Sequence, residues 1–456
     1  MKVSASQSVV NRWQHQFQGQ LLAPSHNDFN AARQIWNGMI NRSPALIARC
    51  ASSSDVVSAL KLARSEQLPV SVRSGGHGVA GNAICQDGLV IDLTRMKGIS
   101  VDPVERDIRA GAGVLWGEFD QAAEQHQLAT TEVSHTGIAG LTLGGGLGYL
   151  MGKLGAACDN LLSVELVTAA GEVLTVSDQS HPDLFWAIRG AGANFGVVTQ
   201  LRYRLHSLPG VLAGLLIHPR VRAAEFIDFY REFLLNTPDE LYTTLAFLNT
   251  PDGTPIVGVI AVYSGPIAEG ERVLAPLRQF GPPVADLIRP MRYTEAQRLV
   301  DDAVPIGNRY YWKSSFAQTV SEELAGILHR GADAMPSPRS MILLFEMKGA
   351  IQRVPKESMA FDHRDANVEV SIIANWTDSV DDAANVTWAR ELWEATKPFV
   401  MTSVYSNHMT ADETPDRVRA AYGASKYERL AQLKARYDPT NLFFMNHNIV
   451  PTAPPA

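Results

Sequence analysis

LPVSVRSGGHGVAGN, residues 68–82, carries a short alternating strand straight into a glycine-rich loop. Leu68, Val70 and Val72 recur with period two, the pattern of a strand with one buried face. In the following Ser74-Gly75-Gly76-His77-Gly78, glycine permits positive φ and lets backbone amides approach a ligand closely. Upstream, Ser54 suits an N-cap, and Val56, Val57, Leu60 and Ala63 recur at helical spacing to about Ser65. Downstream come a strand over 89–93, a helix over about 115–126, and a second glycine concentration, TGIAGLTLGGGLGYL (136–150). Val164, Leu166 and Thr168 alternate, and Val173 and Thr175 resume after Gly171, which predicts a hairpin. Pro182 opens a short helix ending at Gly190, and a strand over 197–205 closes the region near Pro209-Gly210. Strands mix with helices without strict alternation, so the fold class is α+β.

Residues 211–400 read as a second α+β unit. One helix carries Phe226, Phe229, Tyr230 and Phe233, and two extended runs flank the turn Pro251-Asp252-Gly253. Strands are expected at 341–348 and 368–376, and helices near 267–280 and 384–396. From about 401 the chain returns to loop and helix. At 456 residues, two or three domains are expected. The assignment is 1–210 (core about 40–208), 211–400 and a returning segment 401–456. A formal charge of −7 argues against nucleic acid as partner. No apolar run approaches a membrane span. The N-terminus lacks the apolar core of a secretory signal, which makes the cytoplasm the default compartment. Cys50, Cys85 and Cys158 give neither a disulfide framework nor a metal-ligand spacing. Nothing in the sequence fixes an oligomeric state.

Two glycine loops following strands could cradle a pyrophosphate. Gly144-Gly145-Gly146-Leu147-Gly148 does not fit the G-x-G-x-x-G fingerprint, and either loop alone reads more readily as a tight turn than as a ligand cradle. In combination with other stretches the reading changes. PVSVRSGGHGVAGN (69–82), LVIDLTRMKGISVDP (89–103), GIAGLTLGGGLGYLMGKLGAACDNLLSVELVTAAGEVL (137–174), HPDLFWAIRGAGANFGVVT (181–199) and YDPTNLFFMNHNI (437–449) occur in one order along the chain. In this the chain resembles the berberine-bridge-enzyme-like FAD-linked oxidases of the vanillyl-alcohol-oxidase superfamily. The resemblance is to the bacterial branch that includes 6-hydroxy-D-nicotine oxidase.

That resemblance implies a PCMH-type FAD-binding domain of two α/β subdomains. It also implies a substrate domain on a large antiparallel sheet flanked by helices. The family's covalent histidine falls on His77, where a histidine–flavin bond would fix the ring and raise its potential. Many members add a link through a cysteine four residues before Gly137; here that position is Val133, so attachment through His77 alone is expected. The family's oxygen-gating position falls on Thr136. Cofactor contacts are expected from Arg73, Ser74, Gly75, Gly76, Gly78 and Val79. In the second loop they fall on Val133, Ser134, Thr136, Gly137, Gly140, Leu141, Gly144, Gly145, Gly146 and Gly148. Asn160, Gly196, Val198, Asn446 and Asn448 complete the set.

Hydride removal from a C–H bond also needs a base for the substrate's O–H or N–H. Where relatives often have Tyr-x-Asn-Tyr, this chain has Tyr405-Ser406-Asn407-His408. His408 is either a base or a non-catalytic residue, Asn407 a pocket amide, and Tyr405 a further site candidate. Period two places Leu344, Glu346 and Lys348 on one strand face. Glu346 and Lys348 either line the cavity, as charged residues do in a family member, or form a salt-bridged pair on a solvated face. Arg309-Tyr310-Tyr311-Trp312-Lys313 reads as pocket wall or as core, and His363-Arg364 as structural. The expected activity is oxidation of a small molecule at a C–H beside an alcohol or amine. O2 would be reduced to H2O2. The alternative is a dehydrogenase, or a redox-neutral or cyclising flavoprotein.

Overall fold

The computed structural model describes residues 3–130 and 134–452. The first lobe holds two sheets. A four-stranded sheet orders Gln20–Leu22, Leu46–Arg49, Leu89–Asp92 and Val70–Arg73, the last three parallel. Leu89–Asp92 is buried throughout, as befits a central strand covered on both faces. A five-stranded antiparallel sheet orders Ile99–Asp102, Asp107–Gly111, Val197–Arg204, Leu161–Val167 and Val173–Ser177. The expected hairpin at Gly171 is its last pair. The helix expected after Ser54 begins at Ser53, because Ser52 is the extended residue (φ −151°, ψ 167°) before it. Asp55 in the first turn accepts the N–H groups of Gln18, Gly19 and Ala51, which ties the N-terminal segment to this helix.

The second lobe is one eight-stranded antiparallel sheet. Its main path orders Ala285–Asp286, Val211–Pro219, Pro255–Tyr263, Leu241–Asn249, Met341–Glu346, Val368–Trp376 and Arg309–Ala317, with Arg289–Met291 also on Val211–Pro219. Gly253, at φ 86°, supplies the turn that registers Asn249 opposite Pro255. On one face Leu216, Leu245, Phe247, Leu344 and Ile372 pack in a single core. That core includes apolar residues of helices Ala223–Leu234, Ile267–Gln279, Glu322–Asp333 and Asp382–Thr396. The opposite face is also covered: Tyr242, Ile260, Val262 and Phe316 join Tyr149, Met151, Phe361 and Tyr405 in a third core between the lobes. Among the described residues no helix is long and apolar enough to cross a membrane.

The last helix, Ala424–Tyr437, folds back on the first lobe. Lys434 and Asp438, both fully buried, pair at 2.9 Å. The Lys434 ammonium also donates to the carbonyls of Asn194 and Phe443, and Asp438 accepts the N–H groups of Leu442 and Phe443. Lys434→Ala leaves a buried carboxylate without its cation, so it should cost about 3–5 kcal/mol. Urea unfolding measures this, and an unchanged midpoint would contradict the role assigned to the pair.

Candidate active site

Between the lobes lies a cavity of about 920 Å³. Its floor is backbone. A β-carbon on Gly75 would lie 2.5 Å from the Gly137 nitrogen, and one on Gly137 would lie 2.4 Å from the Gly75 nitrogen. The two glycine loops therefore touch directly. Ser74, Gly75, Gly76, His77, Gly78, Val79, Thr136, Gly137, Gly140, Leu141, Gly144, Gly196 and Val198 all line the cavity. From the returning segment Tyr405, Asn407, His408 and Asn446 line it as well.

Other expected residues lie elsewhere, each for a stated reason. Arg73 turns away to donate to the Ala32 carbonyl. Ser134 donates to the Asp301 carboxylate at 2.5 Å. Gly145 packs on the Phe361 ring, the Gly146 N–H donates to the Tyr405 hydroxyl at 2.9 Å, and the Gly148 carbonyl accepts from Met151. Asn160 donates to the Leu154 and Ala156 carbonyls, and Asn448 lies outside the lining. Val133 lies outside the described residues.

Glu346 and Lys348 are a correction. Leu343 and Phe345 face the cavity, so alternation sends Glu346 to the helix side of the sheet. There it pairs with Lys348 at 2.8 Å and accepts from Thr243 at 2.7 Å, while Lys348 reaches the Leu234 carbonyl at the end of its helix. The pair is neither in the cavity nor on a solvated face: Glu346 is buried, and burial raises its carboxyl pKa. Alternation splits the aromatic run as well. Trp312 lines the cavity, whereas Tyr311 joins the helix-side core and donates to Asp412. Arg364 binds Asp159 at 2.6 Å and His363 contacts the Ala420 carbonyl at 2.9 Å, both remote from the cavity lining.

His77 is half-buried with its Nε2 shielded and without a hydrogen-bond partner among the described residues. Its ring stacks on Trp36 at 4.2 Å, and Trp36 stacks on Tyr310 at 3.7 Å. Burial, then the neighbouring His135 and His408, hold its pKa well below the ordinary histidine value, so the imidazole keeps a free lone pair at neutral pH.

Across the cavity His408 is 16% exposed, and its Nδ1 lies 3.0 Å from a carboxylate oxygen of Glu369, which is fully buried. Ser371 donates to both Glu369 oxygens and lies 3.1 Å from the same ring nitrogen. A carboxylate accepts only, so Nδ1 carries the proton and Nε2 is left as the acceptor. Sequence reading missed Glu369 and Ser371, which lie out of phase with the apolar residues of strand Val368–Trp376 and so read as solvent-facing. The Tyr405 hydroxyl accepts from Gly146 and from Asn407 at 2.7 Å, which makes it a prop for the glycine loop.

These residues suit FAD. A β-carbon on Gly78 or Gly140 would meet no atom within 4 Å, which leaves open space along both loops, and the side-chain oxygen of Asn446, a lining residue, is shielded and unpartnered among the described residues. Residues 44–177 match a family model described as an FAD binding domain, and residues 404–450 one described as berberine and berberine like. The chain is 34% identical to (R)-6-hydroxynicotine oxidase of Paenarthrobacter nicotinovorans, over 95% of this chain and 97% of that one. It is 31% identical to an FAD-linked oxidoreductase of Dictyostelium discoideum, over 99% and 98% respectively. The solved structure of 6-hydroxy-D-nicotine oxidase from Arthrobacter nicotinovorans superposes with a TM-score of 0.87 at 31% identity, covering 95% of this chain and 98% of that one. The fold and cavity are those of a PCMH-type FAD-dependent oxidoreductase. The chain belongs to the berberine-bridge-enzyme-like family of FAD-linked oxidoreductases.

Gly144 admits the returning segment: a β-carbon there would lie 2.0 Å from the Asn407 side-chain oxygen. Gly144→Ala should lower the thermal midpoint by several degrees, on the order of an overpacking cost of 1–3 kcal/mol. Asn407→Ala in the same chain should recover most of that loss. Absence of recovery would show that the clash lies elsewhere.

Proposed function

We propose that this protein is an FAD-dependent oxidase with its flavin held by one covalent bond, to His77. It takes a hydride from a C–H beside an alcohol or amine of a small molecule and reduces O2 to H2O2. One arrangement carries the reading: a neutral, stacked histidine and a histidine–glutamate pair meet at a single cavity between the lobes. Similarity over nearly the whole chain to an enzyme named (R)-6-hydroxynicotine oxidase supports oxidase chemistry on a small molecule. Valine at position 133 has no thiol to add a second bond.

When bound, FAD supplies the two-electron acceptor. The chain's own residues do the rest. The backbone of Gly75, Gly78, Gly137 and Gly140 would line its bed, and Asn446 would offer an amide from the tail. His408 takes the substrate's O–H or N–H proton at Nε2, and Glu369 holds Nδ1–H so that the accepting nitrogen stays aimed inward. Thr136, at the position expected to gate oxygen, lines the same cavity.

Wild-type protein should stay yellow through acid precipitation, and His77→Ala should release all its flavin to the supernatant; flavin retained by the variant chain would disprove the linkage. His408→Ala should slow anaerobic flavin reduction by about 10²–10⁴-fold with little change in substrate affinity. Glu369→Gln should slow it less. Rates that are unchanged in both variants would remove His408 as base.

A further inference from the structure

The substrate end of the cavity is walled by one face of the large sheet, and its chemistry is one-sided. Leu215, Ile217, Ile260, Leu343, Phe345 and Ile373 present hydrocarbon. Polar groups are few: the Thr244 hydroxyl is already paired with that of Tyr242 at 2.8 Å and the Asn249 amide with Arg220 and the Pro338 carbonyl, which leaves the Trp312 indole N–H as a donor without a partner among the described residues, beside the Tyr149 hydroxyl. A polyhydroxylated sugar would bury several hydroxyls here with too few partners, and each unpaired polar group opposes binding.

Charge is restricted in the same way. Among the described lining residues the only carboxylate is Asp302, at an exposed position, as is the only guanidinium, Arg339. Glu369 stands behind His408 rather than in the lining. Both its oxygens accept from Ser371, and one also faces His408 Nδ1. His135, the other histidine beside His77, is paired with Asp301 at 3.0 Å. A protonated amine reaching His408 would find no carboxylate free to pair with it, since Glu369 is engaged by Ser371 and His408 and Asp301 by His135, and a buried charge without a direct partner is costly. A neutral hydroxyl needs one acceptor, and His408 Nε2 is that acceptor.

We infer that the substrate is an uncharged, mainly hydrocarbon alcohol with its reacting hydroxyl at His408, and neither a sugar nor an amine that enters protonated. This rests on the oxidase reading above. In the reaction one C–H and one O–H bond break and a C=O bond forms. The hydrogen leaves carbon with its electron pair to the flavin, and the hydroxyl proton passes to His408 Nε2.

The test uses flavin-loaded enzyme and four probes: cinnamyl alcohol, cinnamylamine, cellobiose, and cinnamyl methyl ether, which has no hydroxyl proton to give. Binding is read at pH 7, without oxygen, as perturbation of the flavin absorbance, and reduction as its bleaching. The ether should perturb the spectrum without bleaching. The alcohol should bind at least about tenfold more tightly than the amine or cellobiose, and bleach the flavin. Leu343→Asp, which adds a carboxylate to the wall, should raise affinity for the amine and lower it for the alcohol.

Tighter binding and faster bleaching by the amine or the disaccharide would overturn the inference while leaving oxidase chemistry intact. So would failure of both ether and alcohol to perturb the spectrum. Tight binding of ether and alcohol with no bleaching by any probe would instead support the apolar site and overturn the alcohol oxidation assigned to it.

Discussion

At Gly75 and Gly137 two backbone segments pass so closely that neither residue has room for a β-carbon. Much of the site depends on that contact. It places the loop carrying His77 beside the loop carrying Thr136, and lateral bonds hold it: Ser74 donates to the Ala112 carbonyl and Trp116 N–H to the Thr136 carbonyl. Because the floor is backbone, it can offer N–H groups and space where side chains would offer neither. Gly144 repeats the device for the returning segment, admitting Asn407 close enough to donate to the Leu141 carbonyl. A chain segment more than 260 positions away is thereby built into the same floor.

Much of the first lobe was legible because its signals are local. Alternation over 68–72, a turn at Gly171 and Pro182 at a helix start depend on near neighbours, and the structure has a strand, a hairpin and a helix there. The hairpin at Pro251-Asp252-Gly253 was legible for the same reason. Strands Val211–Pro219 and Arg309–Ala317 were not assigned; they hold the sheet through long-range pairing, with Arg309–Ala317 pairing only with Val368–Trp376. Which face of a strand sees the site is a different matter. Period two separates Leu343 and Phe345 from Leu344 and Glu346, but it does not say which set meets the cavity when both faces are covered. The polar set Glu369, Ser371 and Asn375 looks solvated in sequence, yet all three are buried at the seam. Only the position of the other lobe decides that, and no window of local sequence contains it.

Three buried contacts between a basic side chain and a carboxylate differ by location. Lys434–Asp438 is closed on all sides and holds the tail against the first lobe. Glu346–Lys348 is closed under a helix and fixes the end of that helix to the sheet. Buried pairs of this kind are weak evidence for stability, because desolvation offsets much of their attraction. Glu369–His408 alone has one end in the cavity, with the Nδ1 side bonded and the rest of the ring along the wall. Availability of an open nitrogen separates a catalytic arrangement from a structural one more sharply than charge or burial does.

His77 is oriented as much by the second lobe as by its own loop. Trp36 lies between His77 and Tyr310, and its indole N–H donates to the Val304 carbonyl at 3.1 Å. Beside it the Asn37 amide donates to the carbonyls of Val79, in the His77 loop, and Tyr310, on the large sheet. An N-terminal segment thus joins the His77 loop to the sheet that walls the cavity. Under the proposed linkage, a flavin joined to His77 would be held toward that wall by these hydrogen bonds and the ring stack, without a second covalent bond. On this view the valine at 133 costs the site little. Trp36 and Asn37 would already supply the orientation that a second bond would enforce.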